Sequence, residues 1–221
     1  MNLSASLFQT GWHLGMLIVS VAVLGWIWRT APWGRLKDSS QLNLLLGFAV
    51  GLTLVWSLKA GVKPGLSLHM LGAMVAALTF GAQLGMLVLG LALTGICLNG
   101  AIEWQAWPIN FVLMCVVPVF VASRIHALIE RFLPAHFFIF IFVTGFVGAA
   151  VAVIIQGIVV SGALVLAGAY TTDFLLSEYL PFFLLLGFAE AWISGAVVTL
   201  LVVYRPGWVS TFDDRRYLNG K

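Results

Sequence analysis

Three ionisable side chains stand inside apolar stretches of this chain: His13, His69 and Glu190. An ionisable group at membrane depth is costly unless it is paired or used, so these three mark where chemistry can occur. Imidazole suits first-row transition metals such as nickel, cobalt and copper. Neutral partners lie in similar settings, at Gln83, Asn110 and Gln156. The plain alternative for each is a polar side chain hydrogen-bonded between helices. Met70 and Met74, four residues apart beside His69, offer soft thioethers to Cu(I), although a Met pair at helical spacing more often fills a core. Cys97 and Cys115 both lie in apolar runs and form no CxxC motif, so they read as small hydrophobes. His126 falls in a basic loop and His136 at the edge of a span, both expected at an interface. The chain has no HExxH, no two-carboxylate spacing and no GxxxxGK[ST]. It therefore cannot cradle and hydrolyse ATP, and any ATP-driven step belongs to another chain.

The elements that position these residues follow from composition. Of 221 residues, 62% are hydrophobic and 9% charged, against roughly half and a quarter in soluble domains. Too few polar residues exist to cover a core, so the surface must face lipid. That excludes a soluble enzyme, a disordered tail and a nucleic-acid module. A helix needs about 20 apolar residues to cross the hydrocarbon core. Spans are expected at residues 5–28, 42–58, 68–80, 84–98, 109–122, 137–164 and 181–204. The third and fourth come from one stretch, Gly65 to Ala101, without Asp, Glu, Lys or Arg. As one helix it would be about 55 Å long, so a turn is expected near Gly81 and Gln83. A short loop holding Lys59, Lys63 and Pro64 precedes it. With no basic residues before its first apolar run, the N-terminus reads as a retained span, not a cleaved signal. The fold class is all-α: a polytopic helical bundle of about seven transmembrane helices, forming a single integral membrane domain over residues 1–221.

Cytoplasmic loops carry the excess of Lys and Arg. With the N-terminus outside and the C-terminus cytoplasmic, the inner segments hold Arg29, Arg35, Lys37, Arg124, Arg131, Arg205, Arg215, Arg216 and Lys221. The outer ones hold Lys59 and Lys63 with Glu103, Asp173 and Glu178. Trp26, Trp28, Trp33, Tyr204 and Trp208 are then expected at the inner interface, and Trp104, Trp107, Tyr170 and Tyr179 at the outer one. Arg215 and Arg216 would anchor at anionic headgroups. Glycines four apart (Gly11/Gly15, Gly47/Gly51, Gly81/Gly85) would allow close helix approach.

Three strings, in this order, carry a resemblance: GVKPGLSLHMLGAMVAALTFG (Gly61–Gly81), WPINFVLMCVVP (Trp107–Pro118) and LGFAEAWISGAVVTLLVVYRPGWV (Leu186–Val209). The chain resembles the substrate-capture membrane subunit of cobalt/nickel energy-coupling-factor transporters, the CbiM/NikM-type family, over nearly its whole length. That resemblance implies a permease subunit of an ABC-type transporter, working with a transmembrane coupling subunit and cytoplasmic ATPases in a bacterial-type cytoplasmic (inner) membrane. It implies no cofactor; the transported ligand would be Ni²⁺ or Co²⁺, captured from the outer side. In the family, nitrogens hold the ion in a square plane: the terminal amine, the amide and imidazole of a His at position two, and a second His. The amine falls on Met1 here, the second His on His69, and Asn110 and Glu190 match supporting positions. The chain departs at position two, where Asn2 replaces the imidazole. His13 could then supply the missing ring, or Met70 and Met74 could favour copper. Loss of the metal site in a retained fold would instead make the chain a membrane scaffold or assembly protein. An intramembrane enzyme built on His13, His69 and Glu190 has no recognisable catalytic arrangement.

Overall fold

With lipid as solvent, every backbone polar group must be satisfied within the chain, and the helix is the local solution. The computed structural model describes residues 2–58, 60–63 and 66–218. Among the described residues, six helices are long and apolar enough to cross a membrane: α1 (Thr10–Thr30), α2 (Ser39–Ser57), α3 (Ala73–Leu98), α4 (Trp104–Phe132), α5 (Ile139–Leu166) and α6 (Thr172–Tyr204). A short α7 (Asp214–Tyr217) follows. Met1, Lys59, Pro64 and Lys221 lie outside the described residues.

The α3 helix is the centre of the bundle, with 72% of its apolar window buried against 11% for α1. It is also not one rod. Gly81 has φ 80° and ψ 177°, which is outside helical space and open to glycine but not to other residues. A Cβ placed on Gly85 would stand 3.2 Å from the carbonyl oxygen of Ala76. In a straight helix those two residues would be about 13 Å apart along the axis. The chain therefore reverses at Gly81, and the arms 73–80 and 82–98 (α3a and α3b) lie against one another. This is the turn expected near Gly81, and it yields seven membrane-embedded helical segments. The expected span at residues 68–80, however, is helical only from Ala73; it begins on a strand residue, Leu68, and residues 69–72 have no regular structure.

That strand residue belongs to a feature the hydropathy did not reveal. Strands β1 (Asn2–Leu3), β2 (Ala60–Lys63) and β3 (Leu66–Leu68) form an antiparallel sheet in the order β1-β3-β2. Asn2 pairs with Ser67 and Leu3 with Leu66. Thus the N-terminal strand is stitched to the segment leading into His69.

Other boundaries moved for physical reasons. The fifth span was expected to end at residue 122, but α4 continues to Phe132, because charge ends the apolar run without breaking the helix. Pro134, which disfavours helix in the residue before it, follows the stop. The ring of Pro118 cannot extend a regular α-ladder, and the turn before it is π-helical, Phe111–Val116. His126 is consequently not in a loop: it is buried on α4, edge-on to Phe140, with Nε2 3.7 Å from Glu130. Tyr179, expected at an interface, is fully buried against Phe183. The glycine pairs at 11/15 and 47/51 meet nothing within 4 Å of a built Cβ, so they mediate no close approach within the chain.

At one end of the bundle the C-terminal segment folds over α3a. The backbone N–H groups of Ser210 and Thr211 donate to the carbonyls of Thr79 (3.1 Å) and Leu78 (3.3 Å). Their hydroxyls add bonds to Leu78 O at 3.2 and 3.0 Å. These carbonyls end α3a and would otherwise be orphaned. Arg216 and the Tyr217 hydroxyl both donate to Glu130 Oε1, at 2.6 and 2.8 Å.

Candidate functional site

The site is built where residues 69–72, which follow strand β3, lead into α3a. Gly72 is the residue before the helix and adopts a left-handed conformation, φ 69°. That backbone conformation favours glycine, and a Cβ there would in addition press on the Leu52 Cδ2 methyl at 2.8 Å. The carboxylate of Glu190, from the middle of α6 and 1% exposed, accepts the N–H of Leu71 at 2.9 Å and of Gly72 at 2.6 Å. It thereby satisfies backbone N–H groups at the N-terminal end of α3a. Ser194, one turn along α6, donates to the same carboxylate at 3.2 Å.

His69 sits three residues before Gly72 and is 3% exposed. Its Nδ1 lies 2.8 Å from the carbonyl oxygen of Met70, and its Nε2 lies 2.9 Å from Asn2 Oδ1. The carbonyl can only accept, so in the neutral ring Nδ1 carries the proton and Nε2 presents its lone pair. The Asn2 amide, rotated by half a turn, gives its NH₂ to that lone pair; the two orientations are alike in shape. In the orientation as described, Asn2 Nδ2 is buried without a hydrogen-bond partner. The Asn2 side chain is 6% exposed. A tautomer fixed by a backbone carbonyl, with the other nitrogen aimed away, is how proteins prepare a histidine for a metal. The indole of Trp56 backs the ring at 4.8 Å between centroids and 35° tilt.

Asn110, from the first turns of α4, holds the N-terminal strand in place. Its Oδ1 accepts from Leu3 N at 3.0 Å, and its Nδ2 donates to Leu3 O and Ala106 O, both at 2.9 Å. A side-chain amide here copies the donor and acceptor edge of one more strand.

Of the residues singled out by sequence, the fold brings together Asn2, His69, Asn110 and Glu190. Met1 lies outside the described residues. His13 is elsewhere: on α1, with Nδ1 3.2 Å from Gln105 O and Nε2 3.1 Å from Ala5 O. Met70 and Met74 share no helical face, since Met70 precedes the left-handed Gly72 while Met74 is buried on α3a against Gly148. Among the described residues no three of His, Cys, Asp and Glu gather as a metal cluster. One residue of the site went unread in the sequence: Trp56, which backs the His69 ring, lies at the end of a span as many aromatics do.

Comparison with known proteins bears on this arrangement. Residues 2–208 match the family described as "Cobalt uptake substrate-specific transmembrane region" (CbiM). Among solved structures, the chain is similar to a "Truncated Transition metal Transporter" at 19% identity and TM-score 0.80, covering 92% of this chain and 99% of that one. It is also similar to a "transition metal transporter" at 19% identity and TM-score 0.77, covering 91% and 92%. At these identities the likeness speaks for the fold. No curated protein matches. With a family match over residues 2–208 and this fold in common, the chain belongs to the CbiM family of cobalt uptake substrate-specific transmembrane regions.

Proposed function

We propose that this multi-pass membrane protein is the substrate-binding subunit of an energy-coupling-factor, ABC-type uptake system for a transition-metal ion such as Co²⁺ or Ni²⁺. The observation that carries this reading is the preparation of His69: Nδ1 is tied to the Met70 carbonyl and Nε2 faces Asn2 on the docked N-terminal strand. The ion approaches the end of the bundle that carries the N-terminal strand. Its capture displaces the Asn2 amide from Nε2, and the imidazole lone pair becomes a ligand. Met1 is the further ligand that the family pattern suggests. The opposite end gathers Arg35, Arg205, Arg215 and Arg216, which supports a cytoplasmic placement there and an N-terminus outside. On this reading a transmembrane coupling subunit and cytoplasmic ATPases drive release, in a bacterial-type cytoplasmic membrane. Copper is less well supported, because Met74 faces away from His69 toward Gly148.

The test is metal content and cellular accumulation of Co²⁺ and Ni²⁺ by the chain and by His69→Ala. Metal retained by the original protein and lost in the variant supports the reading. Equal content and equal uptake in the two would remove the metal role. A second reading, a scaffold that kept the fold without its site, is favoured by the Asn2 amide occupying Nε2. It predicts no bound metal in either protein.

A further inference from the structure

A groove runs along α2 where that helix faces α6. One part, about 320 Å³, is lined by Gly51 and Val55 of α2 and by Ile193 and Val197 of α6. Glu190 also borders it, but its carboxylate is engaged by Leu71, Gly72 and Ser194, so what this part offers an occupant is apolar. Gly47 and Phe48 line this part and also a second one, about 600 Å³, so the two are continuous. The second part ends among Ser39, Ser40, Asn43 and Trp208. The Ser39, Ser40 and Asn43 side chains are exposed and have no hydrogen-bond partner among the described residues. A Cβ built on Gly47 or Gly51 meets nothing within 4 Å, so no part of the chain fills the groove there.

We infer that this groove is a binding site for one anionic phospholipid, with an acyl chain lying along α2 and α6 and the headgroup at Ser39, Ser40 and Asn43. Length is the first argument. The apolar lining on α2 runs from Leu44 to Val55, about 16 Å along the helix axis. One leaflet contributes half of a hydrocarbon core of ~30 Å, or about 15 Å. A crossing helix of another protein would need an apolar seam across both leaflets. Charge is the second argument. The guanidinium of Arg205 lies 5.6 Å from the ring centroid of Trp208, at the polar end of the groove. Lys37 stands two residues before Ser39. Both cations are exposed, and neither forms an ion pair among the described residues. The neighbouring Asp38 carboxylate is turned to Ser40 N, at 2.9 Å. Basic residues beside a groove between membrane helices suit a phosphate headgroup, and the unpartnered hydroxyls and amide suit its oxygens.

The experiment is native mass spectrometry of the purified full chain titrated with phosphatidylglycerol or phosphatidylcholine of identical acyl chains. The original protein is expected to bind one phosphatidylglycerol saturably and to prefer it over phosphatidylcholine. Arg205→Gln and Lys37→Gln should each weaken phosphatidylglycerol about 5-fold, and together they should leave the two lipids nearly equal. Gly51→Leu fills the groove and should abolish saturable binding of both lipids, whereas Gly51→Ala should keep it. The two charge variants lie on exposed residues, so they decide the matter even where Gly51→Leu folds poorly. Equal binding of the two lipids by the original chain overturns the inference. So do adducts that accumulate without saturation and alike in every variant, which would be ordinary surrounding lipid. A Gly51→Leu protein that binds lipid as the original does but no longer co-purifies with a partner membrane subunit would assign the groove to a helix of that subunit, and the inference would fall.

Discussion

Glu190 holds the backbone N–H of Gly72 at 2.6 Å across 118 residues of sequence, at the point where α3a begins. Because His69 lies three residues upstream, the depth and direction of its ring are set by a carboxylate on another helix. This is a positioning role: the carboxylate is engaged by Leu71, Gly72 and Ser194.

Replacing Glu190 therefore tests position, not charge at the ion. Glu190→Gln keeps one acceptor oxygen but turns an NH₂ toward a backbone N–H. Hydrogen bonds to charged groups are worth about 1.5–3 kcal/mol each. We expect a clear loss of thermal stability and a 10- to 100-fold weakening of metal retention, the range for residues that orient a ligand. Chelator competition on the purified protein measures the second. Retention equal to that of the original chain would show that His69 needs no such support.

Position two is the departure that matters most chemically. An amide is a poor ligand for nickel or cobalt, and an imidazole a good one. Asn2→His places a second ring beside His69 Nε2, and it should tighten Co²⁺ binding at least 10-fold in chelator competition. Asn2→Ala removes the group that covers Nε2 without adding a ligand. It should change affinity far less. A Co²⁺ affinity unaltered in Asn2→His would mean that position two does not face the ion.

The docked N-terminal strand depends on Asn110. Asn110→Leu is similar in size but leaves Leu3 N and Leu3 O without partners in a buried setting. Each unsatisfied group costs about 1–3 kcal/mol, so the strand should detach in a measurable fraction of molecules. Hydrogen exchange at the Leu3 amide should accelerate by 10-fold or more. Exchange in the variant as slow as in the original chain would assign the hold on the strand to the sheet alone.

The far end of α3a makes a separate prediction. Ser210 and Thr211 satisfy the carbonyls of Leu78 and Thr79, and Arg216 with Tyr217 grips Glu130. The paired variant Ser210→Ala, Thr211→Val removes two hydroxyl bonds at about 1 kcal/mol each. Amides of α3a should then exchange faster while those of α5 do not. Burial pushes the Tyr217 hydroxyl above its ordinary value of 10.0, and the Glu130 carboxylate adds to this. A group with a raised folded value stabilises fully below its unfolded value and less as pH climbs through the folded one. Raising the pH from 7 to 9 should therefore leave the Tyr217–Glu130 contact intact. Release of the tail within that window, read by limited proteolysis, would contradict the assignment.

Much of the scaffold was legible beforehand. The α1 and α2 spans, the reversal at Gly81 and the apolar burial of Cys97 and Cys115 follow from hydropathy and spacing. His126 misled because a run of basic residues resembles a loop, whereas helix continues wherever nothing stops it. The small sheet was invisible for the same kind of reason. Its strands are two to four residues long, too short for alternation to register.

What the sequence determined by itself is the solvent and the inventory. Transfer free energies are properties of single residues and sum along the chain, so 62% hydrophobic content specifies lipid-facing helices. The same scarcity of polar groups reduces the functional question to a few positions, His69, Glu190 and Asn110 among them. Only the tertiary structure decided how those positions meet: Asn2 with His69 across 67 residues, Leu3 with Asn110 across 107, and Glu190 with Gly72. A hydrogen bond between distant residues depends on how helices pack and where a strand docks. No local period in the chain encodes it.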